Sequence, residues 1–525
     1  MPDKDRLAVL ANGGARHGAA QPDFFRGEPL GFAPPDIRSD RIGVVDVGSN
    51  SVRMVVFDGH CRMPAVLFNE KVMCGLGSDL QHSSRLAPKG VERALAALTR
   101  FAALAPQMRV GALAGIATAA VRDAEDGLAF VAEVERRTGI RLRVATGSEE
   151  AELAAKGVLF GNPTAEGVVV DLGGASLEFC RLLGGQPLMG LTTPLGPLRL
   201  GLRALKGADV DRDIRSYLDT LGEDWRLDGG MLHLVGGAFR ALARLQMTRT
   251  GYPLEVLHEY EIPAAEARSL GEWAMGADPD ELSAVKISAA RRANLPFTGR
   301  LLTHLIRALT PGVIRISAFG LREGVCLETM AAGLDESDIL LAGAREQERR
   351  RARAPGFGDE LGDWVVALYR PRDALEERLM RAAALLSDVN WRTHPDYRAS
   401  GCWETVTRVT ISDLGHRGRA FLGAALVARY KGLRKGADGV PAMRVLSEAE
   451  RTRALQVGLA LRLGATLSGS APGVLAYAPL SLDAHGLKLQ LLGPAPPFAG
   501  EEVDKRTAAL ARALECDWRI ETHAA

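Results

Sequence analysis

The chain has 525 residues, 47% of them hydrophobic and 25% charged, with a formal net charge of +1. That length exceeds what one hydrophobic core supports, so three or more domains are expected of an ordinary globular composition. A net charge so near zero excludes a global basic field for nucleic acid, and a highly anionic ligand would have to be held by local basic clusters.

Residues 1–40 carry charge, Gly and Pro without the apolar core of a signal peptide, and are read as a disordered extension. Arg41 to Asp58 then reads as a hairpin. A β-branched run (Ile42 to Val45) meets the tight turn Asp46-Val47-Gly48-Ser49-Asn50-Ser51, and a second apolar run (Val52 to Phe57) returns. A helix is expected from about Lys89 to Leu104, a buried strand over Val110 to Ala117, and then the loop Thr118 to Arg122. Asp126 to Thr138 reads as a helix and Ile140 to Ala145 as a strand. Ser148 is the expected N-cap of a further helix to about Phe160, with Glu149 and Glu150 in its first turn, where the helix dipole favours acids.

The opening phrase then recurs. Val168 to Val170 leads into Asp171-Leu172-Gly173-Gly174-Ala175-Ser176, followed by the apolar run Leu177 to Leu183. Leu232 to Val235 is an expected strand ending in Gly236-Gly237-Ala238-Phe239-Arg240 at a helix start, and Val313 to Phe319 is another, ending in Gly320-Leu321-Arg322-Glu323-Gly324. Strands alternating with helices, twice over, indicate two α/β lobes with mixed sheets, over 41–165 and 166–335. An Arg/Glu/Gln-rich stretch around Arg345 to Arg353, read as a charged helix end, and Pro355-Gly356 mark a linker at 336–358. A mainly helical domain fills 359–525, with helices over Asp373 to Asp388, Arg417 to Tyr430, Ala454 to Leu467 and Asp504 to Leu514, and a strand-like piece at Leu487 to Leu492. The six cysteines (Cys61, Cys74, Cys180, Cys326, Cys402, Cys516) show no C-x-x-C or zinc spacing, which reads as reduced thiols of a cytoplasmic protein. No apolar run is long enough for a membrane span.

The paired turns point to phosphate chemistry. Phosphoanhydride hydrolysis must neutralise accumulated negative charge and place one water. Asp46 and Asp171 end their strands, where their carboxylates can converge on one cleft and hold Mg2+ directly or through water, with Glu178 as a further metal-side carboxylate. Gly48, Ser49, Asn50 and Ser51, with Gly173, Gly174, Ala175 and Ser176, supply turns with backbone N–H groups. Gly236 and Gly237 bring backbone near a ligand at a helix N-terminus. Arg122 is placed to bind phosphate and Glu150 to act as general base. Each part alone has an ordinary reading: a hairpin turn, a helix-start acid, a surface ion pair or a close helix–strand approach. What distinguishes the set is its order along the chain.

That order resembles the exopolyphosphatase/guanosine pentaphosphate phosphohydrolase (Ppx/GppA) family, within the wider superfamily of actin, sugar kinases and heat-shock-protein-70 chaperones. The resemblance covers roughly Arg41 to Met330. It rests on Val45 to Ser51, Thr118 to Arg122, Ser148-Glu149-Glu150-Ala151, Val170 to Glu178, Val235-Gly236-Gly237 and Ser317 to Gly324. It implies two ribonuclease H-like (actin-like) lobes followed by a helical domain of degenerate HD type. It also implies Glu150 as base, Asp46, Asp171 and Glu178 as acidic cleft positions, and Arg122 as the motif arginine. Ala175 stands where the family has a third Gly, a substitution that costs little at negative φ but strains a left-handed residue or crowds a phosphate approaching the backbone. In the last domain Ser387 precedes Asp388, with His394-Pro395-Asp396 beyond, so no di-metal site is expected there. The implied activity is Mg2+-dependent removal of the terminal phosphate of inorganic polyphosphate. The alternative is guanosine pentaphosphate 5′-phosphohydrolysis, linked to the stringent response. A kinase-like phosphotransferase and a polyphosphate-binding regulator with weakened catalysis stay open. No nucleic acid duplex or membrane partner is expected, and a homodimer is.

Overall fold

The computed structural model describes residues 41–59, 64–204, 209–278, 281–282, 287–330, 338–408, 412–432 and 441–524. The expected extension over 1–40 and Cys61 lie outside the described residues.

Five strands form the first sheet: β1 (Arg41–Val47), β2 (Ser51–Phe57), β3 (Val66–Met73), β4 (Val110–Ala117) and β5 (Leu142–Val144), in the order β3-β2-β1-β4-β5. The second has six: β6 (Gly167–Leu172), β7 (Leu177–Leu183), β8 (Gln186–Thr193), β9 (Met231–Val235), β10 (Tyr260–Pro263) and β11 (Val313–Ile316), in the order β10-β11-β9-β6-β7-β8. Both are built alike. An antiparallel meander of three strands is extended by parallel strands beside its first member. The duplication visible as two short phrases is therefore a duplication of whole sheets. The second lobe adds β10, antiparallel at its edge.

Helix Gly147–Gly161 joins the lobes. Its Leu153 and Phe160 pack with Ile42, Val44 and Val55 of the first sheet, while Ala151, Ala155 and Val158 pack with Val169, Cys180 and Leu182 of the second. A helix buried on both sides is apolar nearly all round, which its sequence shows after the first turn. Its N-cap is Thr146, not the expected Ser148. The Thr146 side chain accepts from the Glu149 N–H while Glu149 reaches back to the Thr146 N–H, a reciprocal capping box. Small residues bring a second helix, Leu321–Thr329, into backbone contact. A methyl placed on Gly157 would lie 2.0 Å from the Gly320 carbonyl oxygen, and one on Gly324 would lie 1.9 Å from that of Leu153.

The stretch expected as a linker contains a helix, Ile339–Arg351, whose Leu340, Leu341 and Ala344 join the core of the last domain. That domain is helical around Ala374–Leu385, His416–Lys431 and Glu448–Ser468. It also carries a sheet of β12 (Leu480–Asp483), β13 (Gly486–Gly493) and β14 (Trp518–Ala524), of which only part of β13 is evident in the sequence. Among the described residues no helix is long and apolar enough to cross a membrane.

Candidate active site

Between the lobes lies a cavity of about 370 Å³. The two hairpins enter it as counterparts. In the first, the Gly48 N–H donates to the Ser51 carbonyl at 3.0 Å and Asp46 stands opposite Arg53 across the strand pair. In the second, the Gly173 N–H donates to the Ser176 carbonyl at 3.1 Å and Asp171 stands opposite Glu178. The turns face each other closely, since a methyl on Gly174 would stand 3.7 Å from the Ser49 Cβ. Among the described residues no acceptor takes the N–H groups of Ser49, Asn50, Gly174 or Ala175. Two turns with open N–H donors form a concave anion seat. Ala175 is absent from the positive-φ residues, so its side chain imposes no backbone strain.

Helix Gly237–Thr250 points its N-terminus at the same cavity. Gly236 precedes it at φ +107°, where a Cβ would meet the Leu172 carbonyl oxygen at 2.6 Å and Asp171 Oδ1 at 3.1 Å. Only glycine fits that corner.

Glu150 lies on the cavity wall, 6% exposed. The Ala119 N–H donates to its Oε1 at 3.3 Å, and Arg122 Nη1 donates to its Oε2 at 2.8 Å. Burial raises the carboxyl above its ordinary range, and the Arg122 pair pulls against that rise. Arg122 itself does not line the cavity. Its Nη1 also donates to the Ala145 carbonyl at 2.9 Å, and its Nε pairs with Asp123 at 3.3 Å. In this structure Arg122 stands against Glu150 rather than among the cavity-lining residues, with its Nε and Nη1 engaged by Asp123, Ala145 and Glu150.

The cations that do line the cavity are Arg53, Lys71, Arg240, Arg291 and Arg322. Burial, with Arg322 and Arg240 nearby, holds Arg53 down to about 10, and burial and the same kind of crowding lower Lys71. Like charges gathered under desolvation are relieved by an anion among them. Sequence reasoning missed these five, because a single Arg reads as a surface charge. A signal existed for three. Arg53 occupies the register position that Glu178 occupies in the second hairpin, and Arg240 and Arg322 sit inside the Gly-Gly-Ala-Phe-Arg and Gly-Leu-Arg-Glu-Gly phrases.

Asp46, Asp171 and Glu178 all line the cavity. They do not close into a cage: among the described residues no three His, Cys, Asp or Glu side chains form a group that could hold a metal. Asp46 Oδ2 is paired with Arg322 Nη1 at 3.2 Å. Asp171 is pushed up to about 6 by burial, against the pull of Arg240 and Arg322, with Glu150 and Asp46 adding to the rise. Burial, Glu150 and Asp171 likewise raise Glu178, whose Oε1 accepts from Thr192 Oγ1 at 3.2 Å. Two neighbouring carboxylates of hard oxygen donors suit Mg2+, which takes one or two carboxylates and completes its shell with water and phosphate oxygens. In the last domain Asp388 is held by Arg353, whose Nη2 donates at 2.6 Å, and His394 is exposed beside Asp396.

A family model described as the Ppx/GppA phosphatase family matches residues 55–332, and another, described as exopolyphosphatase, C-terminal, matches residues 340–516. Exopolyphosphatase 1 of Mycobacterium tuberculosis is 28% identical over 320 residues, covering 57% of this chain and 91% of that protein. Retrograde regulation protein 2 of Saccharomyces cerevisiae is 22% identical over 438 residues, 74% of this chain and 72% of that one. A solved exopolyphosphatase from Cytophaga hutchinsonii is 23% identical with a TM-score of 0.48, covering 55% of this chain and 99% of its own. With more than half its length matched, the chain belongs to the Ppx/GppA phosphatase family, a family of phosphohydrolases.

Proposed function

We propose that the chain is an exopolyphosphatase that releases the terminal phosphate of inorganic polyphosphate. The observation that carries this reading is the pairing of five cavity-lining cations with two open-N–H turns around one buried glutamate. Phosphoryl oxygens would seat against the turns, the N-terminus of helix Gly237–Thr250, and Arg53, Arg240, Arg291 and Arg322. Glu150, its orientation fixed by Arg122 and the Ala119 N–H, would accept a proton from the attacking water. The water oxygen bonds to the terminal phosphorus, the anhydride P–O bond breaks, and the shortened chain leaves as the anion. Glu150 then returns its proton to solvent. A carboxyl raised by burial takes up a proton more readily than an exposed one, as a base requires. Mg2+, held by Asp171 and Glu178, would neutralise phosphate charge as the anhydride opens.

Polyphosphate is favoured over guanosine pentaphosphate because no aromatic side chain is among the residues lining the cavity, so the described lining offers a nucleobase no stacking face. The reading as a regulator with weakened catalysis keeps no support from backbone strain, since Ala175 is not at positive φ. The test is phosphate release from long polyphosphate, tripolyphosphate and guanosine pentaphosphate, each with Mg2+ and with chelator. Release from long polyphosphate that stops on chelation supports the proposal. Faster release from guanosine pentaphosphate overturns the substrate assignment, and transfer to a small acceptor without free phosphate overturns the reaction class.

A further inference from the structure

Helix Gly147–Gly161 begins at the active site and ends at the last domain. Glu150 in its first turn and Gly161 at its end are about 16 Å apart along the axis. The final carbonyls of a helix have no partner within it. Here the last domain supplies donors. The Asp413 N–H donates to the Gly161 carbonyl at 2.7 Å, and Ser412 Oγ donates to the Phe160 carbonyl at 3.3 Å. Asp413 sits at φ +54°, a left-handed conformation that a non-glycine residue holds only with support.

The support is Arg378, on helix Ala374–Leu385. Its guanidinium bonds the Asp413 carboxylate and also grips Asp338, with Nη2 to Oδ1 at 2.9 Å and Nε to Oδ2. Asp338 caps helix Ile339–Arg351, with its Oδ1 accepting from the Leu341 N–H at 3.2 Å. Arg378, Asp338 and Asp413 are 26%, 24% and 24% exposed, so bulk water shields the network only partly. The far end of the clamp is rigidly coupled to the cleft. Helix Gly147–Gly161 touches helix Leu321–Thr329 backbone to backbone at Gly157 and Gly324, and the second helix carries Arg322, which pairs with Asp46.

We propose that Arg378 is a positioning residue for the phosphohydrolase site. By fixing Asp413 in its capping conformation, it lets the C-terminal domain set where the helix bearing Glu150 stands along its axis. The proposal rests on the reading of Glu150 as general base. Arg381 is a natural contrast. It lies on the same helix and makes comparable ion pairs, with Asp363 at 2.6 Å and Glu377 at 2.9 Å, but it is bonded to neither Asp338 nor Asp413.

The test uses the full chain and the variants Arg378→Ala, Arg378→Lys and Arg381→Ala. Turnover of polyphosphate, KM and amide hydrogen exchange over 147–161 and 412–413 are measured in each. Displacing a catalytic group by a fraction of an ångström to 1 Å costs up to ~100-fold in rate. Arg378→Ala is expected to lower kcat about 10-fold, with KM within about 2-fold of wild type, and to speed exchange at Asp413 and over the last turn of the helix. Arg378→Lys should recover part of kcat, and Arg381→Ala should leave both kcat and that exchange unchanged. Wild-type kcat in Arg378→Ala overturns the proposal, whether or not exchange changes, and so does an equal loss of kcat in Arg381→Ala. Failure of the base reading looks different: Glu150→Gln would turn over as wild type while the exchange pattern still followed Arg378.

Discussion

Gly157→Ala is the smallest change that tests whether the site depends on the contact of its two helices. Gly157 faces the backbone of Gly320, and an added Cβ would sit 2.0 Å from that carbonyl oxygen, 2.5 Å from its carbon and 2.6 Å from Cα. None of these is a side chain that can rotate away. The helices must part by more than 1 Å to restore the 3.4 Å at which ordinary contact begins. Alanine contributes ~1 kcal/mol of helix propensity over glycine, while overpacking costs ~1–3 kcal/mol. Net destabilisation should therefore be about 1 kcal/mol, enough to lower the melting temperature by a few degrees but not to unfold the protein. The catalytic consequence is larger. Glu150 lies two turns up the same helix, and Arg322 begins the other, so parting them by about 1 Å should cost on the order of 100-fold in kcat. Phosphate release under saturating polyphosphate reads kcat, and thermal melting reads stability. A variant that melts higher than wild type and keeps its kcat would refute the reasoning, because helix propensity would have won over the contact.

Arg122→Ala should lower kcat at neutral pH and move the acid limb of the kcat/KM profile to higher pH. Removing the cation takes away the main opposition to burial, leaving Thr118 and the Ala119 N–H, and raises the Glu150 carboxyl further. Ala175→Gly should change kcat less than about 2-fold, because Ala175 is not at positive φ and glycine relieves nothing there. Acid should weaken the fold through its histidines. Burial lowers His233 to about 4, His258 to about 3 and His416 to about 4 from an ordinary 6.5. The unfolded chain then binds more protons than the folded one below pH 6.5. Stability is complete above that value and is lost as pH falls toward 4, by about 3 kcal/mol for one such histidine. Carboxyls raised by burial, such as Asp171 at about 6, act in the opposite sense and return part of it. The urea midpoint should drop between pH 7 and pH 5; an unchanged midpoint would contradict the neutral, buried histidines.

Much of the cleft is legible in the sequence because its signals are local. An Asp, a tight Gly/Ser turn and flanking β-branched runs specify a hairpin without reference to the rest of the chain. β4 coincides with the expected Val110 to Ala117 for the same reason. Edge strands are harder. β3 reads VLFNEKVM, with apolar Val66, Leu67 and Met73 exposed beside Asn69 and Lys71, so no clean alternation marks it, and it pairs only on one side. β14 is placed beside β13 from far along the chain, a contact no local pattern announces. The charged helix end expected before Pro355 is present, but its helix starts earlier and joins a core, because Ile339 to Leu341 are apolar while Arg and Glu dominate the composition that follows. The misassigned N-cap had a readable sign, Thr146 three residues before Glu149, which Ser148 obscured. The role of Arg122 depends on which face of its short helix meets Glu150. That is a tertiary fact, and a phosphate-facing arginine and a base-orienting one look the same in sequence.

The central claim is that Glu150 activates the attacking water while other residues hold the substrate. Glu150→Gln keeps the size and burial of the side chain, and its amide can still accept from Arg122, but it cannot take up the proton. The most direct measurement is phosphate release and polyphosphate binding by this variant beside wild type, at fixed Mg2+. The account predicts turnover reduced by at least about 100-fold with the dissociation constant within a few-fold of wild type. Turnover near the wild-type rate, with binding intact, would contradict it.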